Sequence, residues 1–323
     1  MAHRIALLAY PGFELLDVAG PASVFAQANR LLQTSGKAAF YDVEIVSPAG
    51  GLVPANGGVA LESRALGKTP ADKVDTLLIV GAYEESLFAA MADPVLRRWV
   101  PNCARRATRF GSICSGAFVL ADLGLVDGKC VATHWYDAAA LAKSYPSVVV
   151  DPERLYVVDG NVWTSAGVST AIDMALAMVS HDIGAGIAGL IAKRLVLYVR
   201  RPGYQSQFSP LLQAQAKADD PFAGLIAWLQ ANLHRPLDVP RLAARAGLTE
   251  RSFYRKFAAA TGKSPARFVE MIRLDAARML LGQKLPLKAV AAQVGLSSAA
   301  KLAKAFERRF GLPPRLFRAM HTV

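Results

Sequence analysis

Apolar and polar positions follow two alternating rhythms over the first two thirds of the chain and a single helical one over the last third. Ile5 to Ala9 and Thr76 to Val80 are short apolar runs, and Tyr41 to Ser47 alternates apolar with polar, so all three predict strands. Pro21 to Leu32 and Val95 to Ala107 space their apolar residues as helices do. Arg109 to Cys114 reads as a strand leading into a small-residue helix. Leu155 to Val158 and Asn161 to Thr164 read as a hairpin turned by Asp159 and Gly160 at the margin of the sheet. A long helical pattern begins near Thr170, breaks between Gly184 and Gly189, and continues to Arg200. Strands alternating with helices imply an α/β sandwich on a mostly parallel sheet.

Arg201 to Asp220 holds neither period, and its Pro, Gly, Gln and Ser residues predict a linker. Beyond it Pro221 to His234 is an amphipathic helix opening a second domain. The expected organisation is therefore a domain over 1–200, a linker over 201–220 and an all-α domain over 221–323.

Charge sharpens that division. Residues 1–210 hold 18 Lys/Arg against 18 Asp/Glu, whereas residues 211–323 hold 19 against 7, so the whole formal charge of +12 belongs to the last third. A polyanion partner explains such concentration, because each Lys or Arg placed near a phosphate releases condensed counterions. Three cysteines give no disulfide framework. The first nine residues read as a strand rather than a secretory leader, and no apolar run reaches the roughly 18 residues of a membrane span. A cytoplasmic protein with no membrane association is expected, and the sequence assigns it no metal and no cofactor.

The basic third contains a repeat. Leu242 to Pro265 and Val290 to Pro314 align Gly247 with Gly295, Leu248 with Leu296, Thr249 with Ser297, Phe257 with Phe306 and Gly262 with Gly311, at the cost of one inserted residue. Each copy has a short apolar helix, a Gly at a sharp turn, and Thr or Ser to cap a second helix, which are the parts of a helix-turn-helix. Phe253 and Phe257 lie four apart and face inward, which turns Arg251, Tyr254 and Arg255 outward, where they can enter a major groove. The corresponding outward positions of the second copy are Ala299, Ala300, Lys301 and Lys304, suited to a thymine methyl or a phosphate. Pro265 to Leu281 predicts a bridging helix of 17 residues, about 25 Å long, comparable to one DNA turn of roughly 34 Å.

The TGKSPARFVEMIRLDAARMLL stretch and the closing FGLPPRLFR resemble the AraC/XylS family of transcription regulators over both helix-turn-helix units. The Ala299 and Ala300 pair departs from the polar residues of many members. The resemblance implies double-stranded promoter DNA as partner and activation as the mode of control.

In the first domain RFGSICSGAF, from Arg109 to Phe118, places Cys114 between a strand and a small-residue helix, the layout of a nucleophile elbow. A helix N-terminus favours thiolate, which would make Cys114 reactive; the other reading is a small inert core residue. Cys103 and Cys130 read as structural, and Trp135 and Trp163 as core residues or pocket lining. The elbow, PGFELLDVAGP from Pro11 to Pro21, ATHW from Ala132 to Trp135 and the DGNVWTSAG hairpin resemble the ThiJ/PfpI branch of the class I glutamine amidotransferase-like superfamily. Joined to an AraC-type domain, and with RRPGYQSQFS between them, they resemble the GlxA-type regulators.

That resemblance implies a flavodoxin-like sandwich and dimerisation through it. It also implies a pocket around Cys114 with Asp17 as the nearby acid and Gly81 and Ala82 offering a backbone donor. Ser115 stands where proteases and amidases carry His, which removes the obvious general base; His134 is a substitute base or a pocket residue. Asp17 also reads as a turn or cap carboxylate, and Ser115 as a helix cap. The expected protein is a DNA-binding regulator sensing a small, nitrogenous metabolite. The competing expectation is an amidase or isonitrile hydratase acting through Cys114 with a DNA-binding domain attached.

Overall fold

The computed structural model describes residues 2–197, 201–203, 207, 222–281, 285–310 and 313–321. The chain divides into two compact units, Met1–Gln207 and Phe208–Val323. Among the described residues no helix is long and apolar enough to cross a membrane.

The first unit is built on an eight-stranded sheet. Its centre runs, in spatial order, β2 (Tyr41–Ser47), β1 (His3–Leu8), β5 (Thr76–Ile79), β6 (Arg109–Ile113) and β10 (Val162–Ser165), each parallel to the next. Its margins are β3 (Gly51–Pro54), antiparallel to β4 (Ala60–Ala65), and β9 (Tyr156–Asp159), antiparallel to β10. A two-stranded ribbon, β7 (Cys130–Val131) with β8 (Val149–Val150), forms a separate sheet beside β9, where the Cys130 N–H donates to the Asp159 carboxylate.

Successive strand residues point to opposite faces, so β1 sends Ile5 and Leu7 into one core and Ala6 and Leu8 into the other. The first core is covered by α1 (Leu15–Thr34), α6 (Thr170–Ile183) and α7 (Ala185–Arg194); the second by α2 (Glu84–Ala92), α3 (Pro94–Ala104), α4 (Gly116–Asp122) and α5 (Ala138–Ser144). A parallel sheet buried on both faces needs these continuous apolar strands, and all four residues of β5 are buried.

The expected elements are present with shifted ends. Helix α1 starts six residues before Pro21, because Glu14 caps it by accepting from the Leu16 N–H at 3.3 Å and Pro21 sits inside it. Helix α3 starts at Pro94, capped by Asp93 through the Val95 and Leu96 N–H groups. The β3–β4 hairpin and α2 have no counterpart in the sequence reading. In the 201–220 segment the described residues Arg201–Gly203 and Gln207 lie against the first unit: Arg201 pairs with buried Asp173 at 2.7 Å, and the Leu155 N–H donates to Gly203 at 2.7 Å. Residues 208–220 lie outside the described residues.

The second unit has seven described helices: α8 (Ala223–Ala231), α9 (Val239–Arg245), α10 (Glu250–Thr261), α11 (Pro265–Leu281), α12 (Leu287–Gln293), α13 (Ala299–Phe310) and α14 (Pro314–His321). The bridging helix α11 matches its predicted span end to end. Phe268, Val269 and Ile272 of α11 join Phe253 and Phe257 in one core, with ring centroids of Phe257 and Phe268 at 5.2 Å. Its buried Leu274, Ala277 and Leu281 follow on toward the second repeat.

Candidate functional site

The two repeats fold as the same device. In α9 and α12 the last turn closes identically: Gly247 N–H donates to Ala244 and Gly295 N–H to Ala292, each at 3.1 Å, and Leu248 and Leu296 reach back to Ala243 and Ala291. Gly247 and Gly295 take φ of 65° and 72°, a left-handed turn that residues with a Cβ adopt only under strain.

Thr249 then caps α10, its Oγ1 accepting from the Ser252 N–H at 3.3 Å. The cap of α13 is Ser298, accepting from the Lys301 N–H at 3.1 Å, rather than the aligned Ser297. The inserted residue therefore falls in the turn, and Arg251, Tyr254 and Arg255 correspond to Ala300, Ala303 and Lys304.

On α10 Phe253 and Phe257 are fully buried while Arg251, Tyr254 and Arg255 are exposed, Tyr254 by half. On α13 Leu302 and Phe306 are buried and Ala300, Lys301 and Lys304 exposed; Ala299 is half-buried. Lys256 and Arg308 are exposed as well, cations that the helical phase could have supplied to the sequence reading. The result is two helix faces of guanidinium, ammonium, phenol and methyl groups on buried aromatic footings, able to meet phosphates and base edges.

In the first unit Cys114 follows β6 with φ of 57°, a conformation costing on the order of 1–3 kcal/mol in a residue with a side chain. It is the turn that the elbow reading requires. Its backbone is held from both sides: its N–H donates to Ser165 at 3.0 Å and its carbonyl accepts from Thr133 Oγ1 at 3.0 Å. Gly167 packs so closely that a Cβ there would stand 2.2 Å from that of Cys114.

Asp17 is buried and serves neither of the local roles weighed for it. Its Oδ2 accepts from the Gly81 N–H at 3.0 Å and its Oδ1 from the Val168 N–H at 2.6 Å, tying α1 to two strand-end loops. Ser115 stands at the N-terminus of α4 without capping it: its hydroxyl donates to the Ala82 carbonyl at 2.7 Å and accepts from the Ala82 N–H at 3.0 Å. Gly81 and Ala82, expected to offer a donor to the pocket, thus spend both N–H groups internally. His134 is half-buried, its ring centroid 5.5 Å from that of Trp135, and it is the neighbouring Thr133 whose hydroxyl reaches the Cys114 carbonyl. Trp163 is core, 5.6 Å from the Arg109 guanidinium, whereas Trp135 is half exposed. Val168, with φ of 50°, had no signal in the sequence beyond the preceding Gly167.

The electrostatics oppose a thiolate. Burial pushes the Cys114 thiol far above its ordinary range, and the negative charge of Asp17 adds to this; the Ser115 N–H pulls the other way and loses, with Asp137 and Glu14 further raising it. Of the two readings of Cys114, this environment favours the small buried residue over the activated thiolate. Burial also lifts Asp17 to about 7, against the pull of its two backbone donors. Among the described residues no group of three or more His, Cys, Asp or Glu is arranged to hold a metal ion.

Two family models match the chain: residues 3–181, more than half of it, match the DJ-1/PfpI family, and residues 242–320 match a helix-turn-helix domain. The chain belongs to the DJ-1/PfpI family. It is 28% identical over 321 residues to the HTH-type transcriptional regulator CdhR of Pseudomonas aeruginosa, covering 99% of this chain and 93% of CdhR. It is 27% identical to the HTH-type transcriptional regulator GlxA of Rhizobium meliloti, covering 97% and 94%. The crystal structure of a ThiJ/PfpI family protein from Pseudomonas syringae superposes with a TM-score of 0.55 at 24% identity, covering 70% of this chain and 87% of that one, and shares its fold. The DJ-1/PfpI member thus carries an AraC-type, GlxA-like C-terminal unit.

Proposed function

We propose that this DJ-1/PfpI protein is a sequence-specific, DNA-binding transcription regulator, acting as an activator. Its second unit reads double-stranded operator DNA through Arg251, Tyr254 and Arg255 of one recognition helix and Lys301 and Lys304 of the other. The observation that carries this is the duplicated turn followed by a helix whose aromatic face is buried and whose cationic face is exposed, in the part of the chain holding the whole net charge. Residues 1–200 sense a small nitrogenous metabolite near the Cys114 elbow, and the protein works as a cytoplasmic homodimer.

Catalysis through Cys114 is disfavoured, because burial holds the thiol in its protonated form and the acids Asp17, Asp137 and Glu14 push it further the same way. The test is capture of the DNA bound by the protein in its own host. A small set of sharp sites sharing one motif supports regulation, and scattered salt-sensitive binding rejects it. Turnover of an amide or isonitrile that disappears in Cys114→Ser would restore the enzyme reading.

A further inference from the structure

Three parts of the second unit meet at one side chain. Arg273 projects from the bridging helix α11 and is half-buried. Its Nε donates to the Leu233 carbonyl at 3.2 Å and its Nη2 to the Arg235 carbonyl at 2.7 Å, both in the loop that leaves α8 and leads to the first helix-turn-helix. The Gly295 turn of the second helix-turn-helix is pressed against the same spot. A Cβ at 295 would stand 2.1 Å from the Leu233 carbonyl oxygen and 2.7 Å from Arg273 Nη2.

A charged, forked donor on two carbonyls is a strong and directional contact, and a backbone packed to Cα distance leaves no slack beside it. Helix α11 is also tied to the second recognition helix, where Arg309 reaches both Asp275 oxygens at 3.3 Å and Arg308 pairs with Glu270.

We infer that Arg273 is a positioning residue for DNA reading: by joining the 233–235 loop, the bridging helix and the Gly295 turn, it fixes the offset between the two recognition helices. The inference rests on the DNA-reading proposal. DNA advances and rotates together, so one added base pair between two half-sites displaces the second half-site along the duplex and around it. A locked pair of helices cannot follow, and a pair freed at its junction can.

The experiment uses the full-length chain and duplexes selected by it from a random-sequence pool, remade with one base pair inserted or removed between the half-sites. The wild type should lose about tenfold or more in affinity for each altered spacing, the scale of a lost base contact. Arg273→Ala, and Arg273→Lys, which keeps the charge but cannot span both carbonyls, should bind the selected duplex more weakly yet lose less than about threefold on altered spacing. Gly295→Ala, which forces the same junction open, should behave likewise, and circular dichroism identifies any variant that has unfolded. Spacing penalties in folded Arg273→Lys or Gly295→Ala equal to those of the wild type would overturn the inference. A wild type that selects no sequence at all would instead overturn the DNA-reading proposal on which it stands.

Discussion

The Gln207 side chain donates from Nε2 to the Thr133 carbonyl at 2.9 Å, while Thr133 Oγ1 donates to the carbonyl of Cys114 at 3.0 Å. Residue 207 closes the first unit, so the last link of that unit is wired through one threonine to the backbone of the elbow. Gln207 Nε2 also reaches the Arg154 carbonyl at 3.0 Å, and its N–H donates to Glu153 at 2.7 Å. Gln207→Ala should destabilise the first unit by about 1 kcal/mol, and Thr133→Val by a similar amount. In a double-mutant cycle followed by thermal unfolding, the two should couple by about 0.5 kcal/mol or more. Strict additivity would mean that the two contacts are independent.

At the opposite end of the sheet Arg109 and Asp182 form a buried two-pronged pair, Nη1 to Oδ1 at 2.7 Å and Nη2 to Oδ2 at 2.6 Å, with the Tyr41 hydroxyl donating to Oδ2 at 2.8 Å. Burial works against the Asp182 charge, but hydrogen bonds from Arg109, His181 and Tyr41 outweigh it and hold the carboxyl below its ordinary range. A lowered acid contributes stability above its unfolded value and loses it as pH falls through the folded one. Asp182→Ala, which strands the guanidinium, should cost about 3–5 kcal/mol at neutral pH. Acid unfolding of the first unit should also become flatter in that variant. Urea midpoints at pH 7 and below pH 4 read both effects.

Asp17 has the reverse linkage. Its folded value of about 7 lies above the ordinary 3.8, so the stability tied to its protonated form is complete below 3.8 and is lost as pH rises through about 7. Asn at this position has one acceptor for two N–H donors, so Asp17→Asn should be less stable than wild type by about 1–3 kcal/mol at pH 5. Above pH 8 the gap should narrow. Melting temperatures at the two pH values decide it, and a gap independent of pH would show that Asp17 is not buried as a proton-holding group.

Much of the second unit was readable because its determinants are local. Phe253 and Phe257 lie one helical turn apart, Gly247 and Gly295 announce their turns, and Pro265 starts the bridging helix where the repeat ends. The cap of α13 slipped by one because an insertion between Gly295 and Leu302 has no unique place in an alignment; the hydrogen bond from Lys301 N–H selects Ser298. In the first unit the sheet and the elbow were legible from apolar strands and from the small residues after Cys114. The function of Asp17 was not, since its partners Gly81 and Val168 are 64 and 151 residues away and carry only backbone N–H groups. The sequence left Cys114 between a thiolate and an inert core residue for the same reason: burial and the approach of Asp17, Asp137 and Glu14, which raise the thiol against the helix terminus, depend on tertiary structure.

The aromatic footing of the first recognition helix can be removed without touching the cationic face. Phe257 packs against Phe222, Phe253 and Phe268 with ring centroids at 5.3, 5.2 and 5.2 Å. Phe257→Ala should cost about 3–5 kcal/mol and abolish DNA binding while leaving the unfolding transition of the first unit in place. Differential scanning calorimetry separates the two transitions.

The central claim is that the exposed cations of α10 meet DNA, and it is tested most directly by salt titration. Affinity for the duplex best bound in the host would be measured across several salt concentrations for the wild type, Arg251→Ala, Arg255→Ala and, as a control on the first unit, Lys143→Ala. Each arginine variant should bind more weakly. One acting on a phosphate should reduce the slope of log affinity against log salt by about one, and one reading a base should lose about 1–3 kcal/mol of discrimination at its position. Lys143→Ala should match the wild type. Unchanged affinity, slope and discrimination in both arginine variants would contradict the account.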